Sequence, residues 1–194
     1  MKIFLRIFLI VIIFFYGLNI SFCQNYYNVS QDTKILSSLR VFERTGNEEA
    51  LNLIKKKDDN LKIIFYDLGL LSYNYASYYA LATSDGQGTD YILINSKYEN
   101  EPEDAIASII IHELTHQLQR TTMDEEIKAW TNEARQWIEC KKINPELVSL
   151  DEKKYPMVRR LNYLEKLYKE ANYSSRLIAE VVENNTAYNK LALK

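Results

Sequence analysis

Ile109-Ile110-Ile111-His112-Glu113-Leu114-Thr115-His116 is the stretch on which the reading of this chain turns. It is an HExxH sequence, and its two histidines are the only two in the protein. On an α-helix, residues four apart share one face with Cβ atoms about 5–6 Å apart, so His112 and His116 can each turn a ring nitrogen toward one metal ion. Glu113 falls beside the pair. Zinc held by two imidazoles and a carboxylate keeps a coordination position for water, and Glu113 would stand next to that water as its proton acceptor.

The residues just ahead of the motif, Ala105-Ile106-Ala107-Ser108-Ile109-Ile110-Ile111, are apolar around nearly the whole helical circumference, which marks a buried helix. Burying two imidazoles and a carboxylate together without a metal is costly, and this favours a metal site over histidines satisfied by ordinary core neighbours. Glu101-Pro102-Glu103-Asp104 opens the helix, with proline suited to a first turn and the acids to the positive helix end, and the pattern runs to about Gln119.

Arg120-Thr121-Thr122-Met123 breaks that pattern, and a second helix from Asp124 to about Lys142 carries Ile127, Ala129, Trp130, Ala134, Trp137 and Ile138. With no histidine left, a third zinc ligand has to be a carboxylate from Asp124, Glu125, Glu126 or Glu133. Thr122-Met123-Asp124-Glu125 has the spacing of a capping box, in which Glu125 turns back to the Thr122 amide. That leaves Glu126 as the chosen ligand, on a face with Ala129, Trp130 and Glu133, where the small Ala129 lets the two helices approach. Glu133 is the reserve ligand, or a hydrogen-bond partner that orients a histidine.

His112-Glu113-Leu114-Thr115-His116, followed after a short break by the Glu126-Ile127-Lys128-Ala129 helix, resembles the gluzincin branch of the zincin metallopeptidases, in particular the compact minigluzincins. The resemblance covers roughly residues 60–140. It implies a zincin-like α+β fold in which a small twisted sheet covers an active-site helix and a second helix delivers the last, glutamate ligand. It also implies peptide-bond hydrolysis with Glu113 as general base, zinc on His112, His116 and Glu126, and a peptide or protein substrate paired with the edge strand, here assigned to Tyr91 to Asn95. The interval from His116 to Glu126 is shorter than in larger gluzincins, so Glu125 and Glu133 stay open as alternatives. The family stabilises the oxyanion with a tyrosine or histidine; among fifteen tyrosines none is singled out.

The sheet is read from three stretches rich in β-branched and aromatic residues: Leu61-Lys62-Ile63-Ile64-Phe65-Tyr66, Ser77 to Thr83, and Tyr91-Ile92-Leu93-Ile94-Asn95. Together they predict a small, mostly antiparallel sheet. Ser84-Asp85-Gly86-Gln87-Gly88-Thr89 reads as a plain hairpin turn, since neither a Gly-Lys-Ser/Thr ending nor a dinucleotide pattern accompanies its glycines. Before the sheet, Ile35, Leu36, Leu39, Val41 and Phe42 predict a helix ended near Gly46, and Asn47 caps another from Glu48 to Lys56. Asn25 to Ser30 has no period and reads as a loose arm.

Lys2 and Arg6 flank an apolar run from Ile7 to Leu18, shorter than the about 20 residues a bilayer crossing needs, and Asn19-Ile20-Ser21-Phe22-Cys23 leads to Gln24. This is the layout of a secretory signal peptide, residues 1–23, cut after Cys23, so the mature chain is expected to be secreted or periplasmic. Lipoprotein anchoring at Cys23 is the lesser alternative, because Phe22 replaces the small residue that a lipobox carries. Loss of residues 1–23 leaves 22 basic against 26 acidic residues, which supplies no basic field for nucleic acid. Cys140 is then without an intramolecular partner, and the fold rests on its core.

The expected organisation is a metallopeptidase domain over residues 24–142 and a helical extension over residues 143–194 packed on it. Ile143-Asn144-Pro145 marks the boundary. Helices follow at about Met157 to Ala171 and Ser175 to Glu183, the first amphipathic through Val158, Leu161, Leu164 and Leu167. The functional expectation is an exported zinc endopeptidase. The alternative is a non-catalytic exported binding or surface protein on a degenerate zincin scaffold.

Overall fold

A computed structural model of the protein describes residues 26–116, 122–186 and 188. The signal-peptide reading, and the extension of the metal helix to Gln119, lie outside the described residues. Instead of a loose arm, residues 26–29 form a helical turn whose Tyr26 and Val29 are buried in the core.

The first two helices are set by their caps. Asp32 Oδ1 accepts the Lys34 and Ile35 amides at the start of α1 (Thr33–Thr45), and Gly46 ends it at φ 64°. The Gly46 and Asn47 amides there donate to the Glu43 and Phe42 carbonyls, a Schellman arrangement that needs a left-handed residue. Asn47 Oδ1 then accepts the Ala50 amide to start α2 (Glu48–Lys57).

The protein is α+β, with a three-stranded mixed sheet in the order β1-β3-β2, made of β1 (Leu61–Tyr66), β2 (Ala80–Ser84) and β3 (Asp90–Asn95). β2 and β3 form the expected hairpin, antiparallel with Ala82 opposite Ile92; β1 runs parallel to β3 with Ile63 opposite Ile92. The sheet is therefore mixed, not mostly antiparallel, and β3 is its centre, not its edge. The physical reason lies in the long β1–β2 connection, which turns through Leu68–Leu70 and Tyr73–Tyr75 and sets β2 down one strand away, leaving a place for β3 between. Ile92, Leu93 and Ile94 are buried on both faces, as a central strand demands. Ser77 and Tyr78 belong to the connection, and β2 begins only at Ala80.

Asp85 Oδ1 accepts the Gln87 and Thr89 amides across the hairpin turn, and Gly86 and Gly88 supply its positive φ. The turn is self-contained, as its sequence suggests.

Behind the sheet lies α3 (Glu103–His116), buried continuously from Asp104 to Thr115. It packs on the sheet, on α1 and on α4 (Met123–Ile143). Beyond these come α5 (Pro156–Glu170) and α6 (Arg176–Glu183). The α5 residues Met157, Val158 and Leu161 enter the same apolar cluster as Ile106 and Ile110 of α3. Tyr155 offers no side-chain cap at the start of α5, and Glu101, just ahead of α3, does that work from a distance: the Met157 amide donates to Glu101 Oε1 at 3.0 Å. A smaller cluster joins Trp130 and Ala134 of α4 to Leu164, Ile178 and Val182.

Candidate metal centre

Helix α3 presents His112 and His116 on one face, one turn apart, at the edge of its buried length. Each ring is oriented through Nδ1 by a glutamate of α4. His112 Nδ1 lies 2.9 Å from Glu133 Oε2, and His116 Nδ1 lies 3.2 Å from Glu125 Oε1. With Nδ1 donating to a carboxylate, the Nε2 lone pair of each neutral ring points the other way. The two Nε2 atoms face each other at 3.1 Å.

Glu126 completes the convergence. Its Oε1 lies 3.4 Å from His116 Nε2 and its Oε2 lies 4.0 Å from His112 Nε2. One ligand atom from each of His112, His116 and Glu126 lies within 4.8 Å of the others, the only such metal-capable group among the described residues. α4 reaches this position because Ala129, one turn after Glu126, is fully buried against its neighbours. Asn132 adds a hydrogen bond to Thr115 Oγ1 of α3 at 3.3 Å.

The capping box closes only halfway. Thr122 Oγ1 accepts the Glu125 amide, but the Glu125 side chain goes to His116 rather than back to Thr122. An imidazole donor one helix away outcompetes the local amide, so Glu125 orients a histidine. Glu133 does the same for His112 and is fully buried. Burial would raise its pKa, yet Arg160 of α5 outweighs this and holds it down at about 2. The guanidinium grips the carboxylate twice, Nε on Oε1 at 2.7 Å and Nη2 on Oε2 at 2.9 Å, and lies over the Trp130 ring at 4.3 Å.

The protonation pattern fits a cation seat. Burial pushes the His116 pKa down to about 3, with the His112 charge adding to the fall. For His112 burial acts downward too, but the hydrogen bond and charge of Glu133 prevail and the pKa rises. With His116 held neutral and its Nε2 facing His112 Nε2 at 3.1 Å, the space between the two rings suits a cation. Glu126 Oε2 is buried with no hydrogen-bond partner among the described residues, a cost that a cation at this point would remove. Two imidazole nitrogens and a carboxylate oxygen are the donor set zinc takes, so the residues present fit it.

Glu113 lies next to this group, nearly buried, with the Ala82 amide of β2 facing its carboxylate. Burial raises its pKa above the usual glutamate value, against the charge of His112. Both belong to a cleft of about 410 Å³ that contains His112, His116, Glu126 and Glu133 and is bordered by Tyr78, Tyr79 and Ala82 on one side and Arg160 and Tyr188 on the other. The strand along the cleft is β2, a sheet edge, and not Tyr91 to Asn95. The Tyr188 hydroxyl faces Glu126, and burial, followed by that carboxylate, pushes its pKa up to about 12.

Sequence reasoning passed over Arg160 and Tyr188. Arg160 stands three residues after Met157 and four before Leu164, both fully buried, so its helical position already placed it on the inward face. Tyr188 had no such signal. No protein-family model, curated protein or solved structure matches the chain.

Proposed function

We propose that this protein is an exported zinc metallopeptidase with a zincin-like arrangement, in which His112, His116 and Glu126 hold the metal and Glu113 is the general base. The observation that carries the reading is the meeting of His112 Nε2, His116 Nε2 and the Glu126 carboxylate within 4.8 Å. The Glu113 carboxylate and an open strand edge stand alongside. Held by His112, His116 and Glu126, zinc would supply Lewis acidity, lowering the pKa of a water to about 7 and polarising a carbonyl oxygen. Glu113 would accept a proton from a water attacking the peptide carbonyl and return it to the leaving amine. Tyr188, which lines the cleft with its hydroxyl facing Glu126 and stays protonated at neutral pH, would donate to the developing charge. β2, an outer strand of the sheet, would offer main-chain groups to an extended peptide and so hold the scissile bond in place. Glu133 and Glu125 keep both imidazoles aimed.

The test is metal analysis of the purified protein followed by cleavage of an unfolded protein substrate. We expect one zinc per chain, removable by a chelator, and hydrolysis lost in Glu113→Gln while zinc is retained. Full hydrolysis by Glu113→Gln would exclude Glu113 as the base. Absence of zinc from protein refolded with the metal would exclude the centre itself.

A further inference from the structure

No charged residue occurs from Leu68 through Ser84, in a chain that is 26% charged. The first part of that run, Leu68-Gly69-Leu70-Leu71-Ser72-Tyr73-Asn74-Tyr75-Ala76-Ser77-Tyr78-Tyr79, is the β1–β2 connection, and it displays its bulky side chains instead of burying them. Tyr73 is 91% exposed, Leu70 75%, and Leu71 and Tyr78 are also outside. Leu68 alone goes into the core as an anchor.

The connection is built to hold this shape. The Gly69 amide donates to Asp67 Oδ1 and the Asn74 amide to Ser72 Oγ, fixing its two turns. A Cβ on Gly69 would lie 3.1 Å from Asp67 Oδ1 and 3.5 Å from Ala76 Cβ, so the turns pack against each other where glycine leaves room. Asn95 Nδ2 donates to the Ala76 and Tyr78 carbonyls, and the Lys97 ammonium also reaches Ala76. The Tyr75 and Tyr78 rings meet at 5.3 Å. Tyrosine, serine, asparagine and glycine on a preorganised surface form a composition suited to protein recognition, because the aromatic rings give contact area at small entropic cost. The surface runs without a break into the cleft, since Ser77, Tyr78 and Tyr79 line it.

We propose that the Leu68–Tyr79 connection selects the substrate: it takes a neighbouring uncharged segment of an extended protein chain, rich in bulky apolar or aromatic residues, while the cleft takes the segment to be cut. This rests on the cleft being a peptide site. A charged partner segment would lose hydration on this surface, and the run from Leu68 to Ser84 itself carries no charge to pair with it. A lipid surface is the poorer fit, as no basic residue within the run is available to anionic headgroups.

The experiment uses full-length Glu113→Gln protein, so that peptides are not consumed, against an immobilised library of random peptides of roughly twelve residues, long enough at about 3.3 Å per residue to span cleft and connection. The comparison protein adds Leu70→Ser and Tyr73→Ser, two exposed positions, with thermal midpoint and zinc content as controls for folding. The retained peptides should be uncharged and rich in leucine and aromatics, and the added substitutions should weaken their binding by about tenfold. Equal retention by both proteins, no retained peptides, or a charged retained set overturns the proposal. So does a loss seen only with phosphatidylcholine–phosphatidylglycerol vesicles. Connection-dependent peptide binding by a protein that holds no zinc would instead overturn the peptidase reading alone, because binding is read without cleavage.

Discussion

Glu133 Oε2 lies 2.9 Å from His112 Nδ1, and the same fully buried carboxylate is clamped by the Arg160 guanidinium. Three helices are thereby tied to one imidazole: α3 supplies the ring, α4 the carboxylate and α5 the cation. The aim of His112 depends on a residue 48 positions further along the chain.

Glu133→Ala should accordingly do two separable things. It frees the His112 ring, which should weaken zinc binding by about 10–100-fold without abolishing it. It also leaves the part-buried Arg160 without its paired carboxylate, which should cost about 1–3 kcal/mol of stability. Chelator competition reads the first and denaturant unfolding of the zinc-free protein the second. An affinity unchanged by Glu133→Ala would mean that Glu133 does not govern the ring.

Glu126 and Glu125 are adjacent in sequence and differ in role, so paired substitutions should separate them. Glu126→Ala removes a donor atom and should abolish stoichiometric zinc at micromolar protein. Glu125→Ala removes only the partner of His116 Nδ1, and zinc should remain bound about 10–100-fold more weakly. Zinc should also raise the thermal midpoint of the native protein, because a ligand that binds only the folded state stabilises it, and Glu126→Ala should lose that increment. Equal losses in the two variants would count against Glu126 as the third ligand.

The parts legible in the sequence were those with a local signal. The capped helices, the buried HExxH helix and the strand positions follow from period, caps and turn residues that each element carries itself. Strand order did not follow, because it is fixed by how a long connection lies across the sheet. Even so, the unbroken Tyr91-Ile92-Leu93-Ile94 run already indicated two-sided burial and hence a central strand. Glu125 misled for a related reason: the spacing Thr122 to Glu125 specifies a local hydrogen bond, and a partner on another helix took the side chain. Arg160 was hidden by its chemistry, since an arginine on an amphipathic helix reads as solvent-facing until a buried acid is known to await it.

Glu165 offers a pH test away from the candidate metal centre. Burial would raise its pKa, but hydrogen bonds from Lys141 and Lys169 dominate and lower it below the usual glutamate value of 4.5. A lowered folded pKa gives stability that is present above the unfolded value and lost as pH falls through the folded one. Glu165→Gln should therefore unfold more easily than the native chain at pH 7, by about 1 kcal/mol after screening of this partly solvated cluster. The gap should shrink as pH drops below 4.5 and the native carboxyl is itself protonated. A gap that stays constant down to pH 3 would show that packing, not charge, connects α4 and α5 at this point.

Ala129 tests whether helix approach, and not merely the presence of Glu126, makes the centre. It has no exposed surface and sits one turn beyond Glu126 on the face that meets α3. Ala129→Leu inserts three carbon atoms into a filled contact and should cost about 1–3 kcal/mol by overpacking. The same wedge holds α4 away from α3 and should draw the Glu126 carboxylate back from the two ring nitrogens, so zinc affinity should fall although every ligand is retained. Ala129→Gly separates the two effects: it destabilises α4 by about 1 kcal/mol through backbone entropy but inserts no wedge, so zinc binding to the folded protein should persist. Tight zinc binding by Ala129→Leu would show that Glu126 reaches the metal through side-chain freedom and not through the closeness of the two helices.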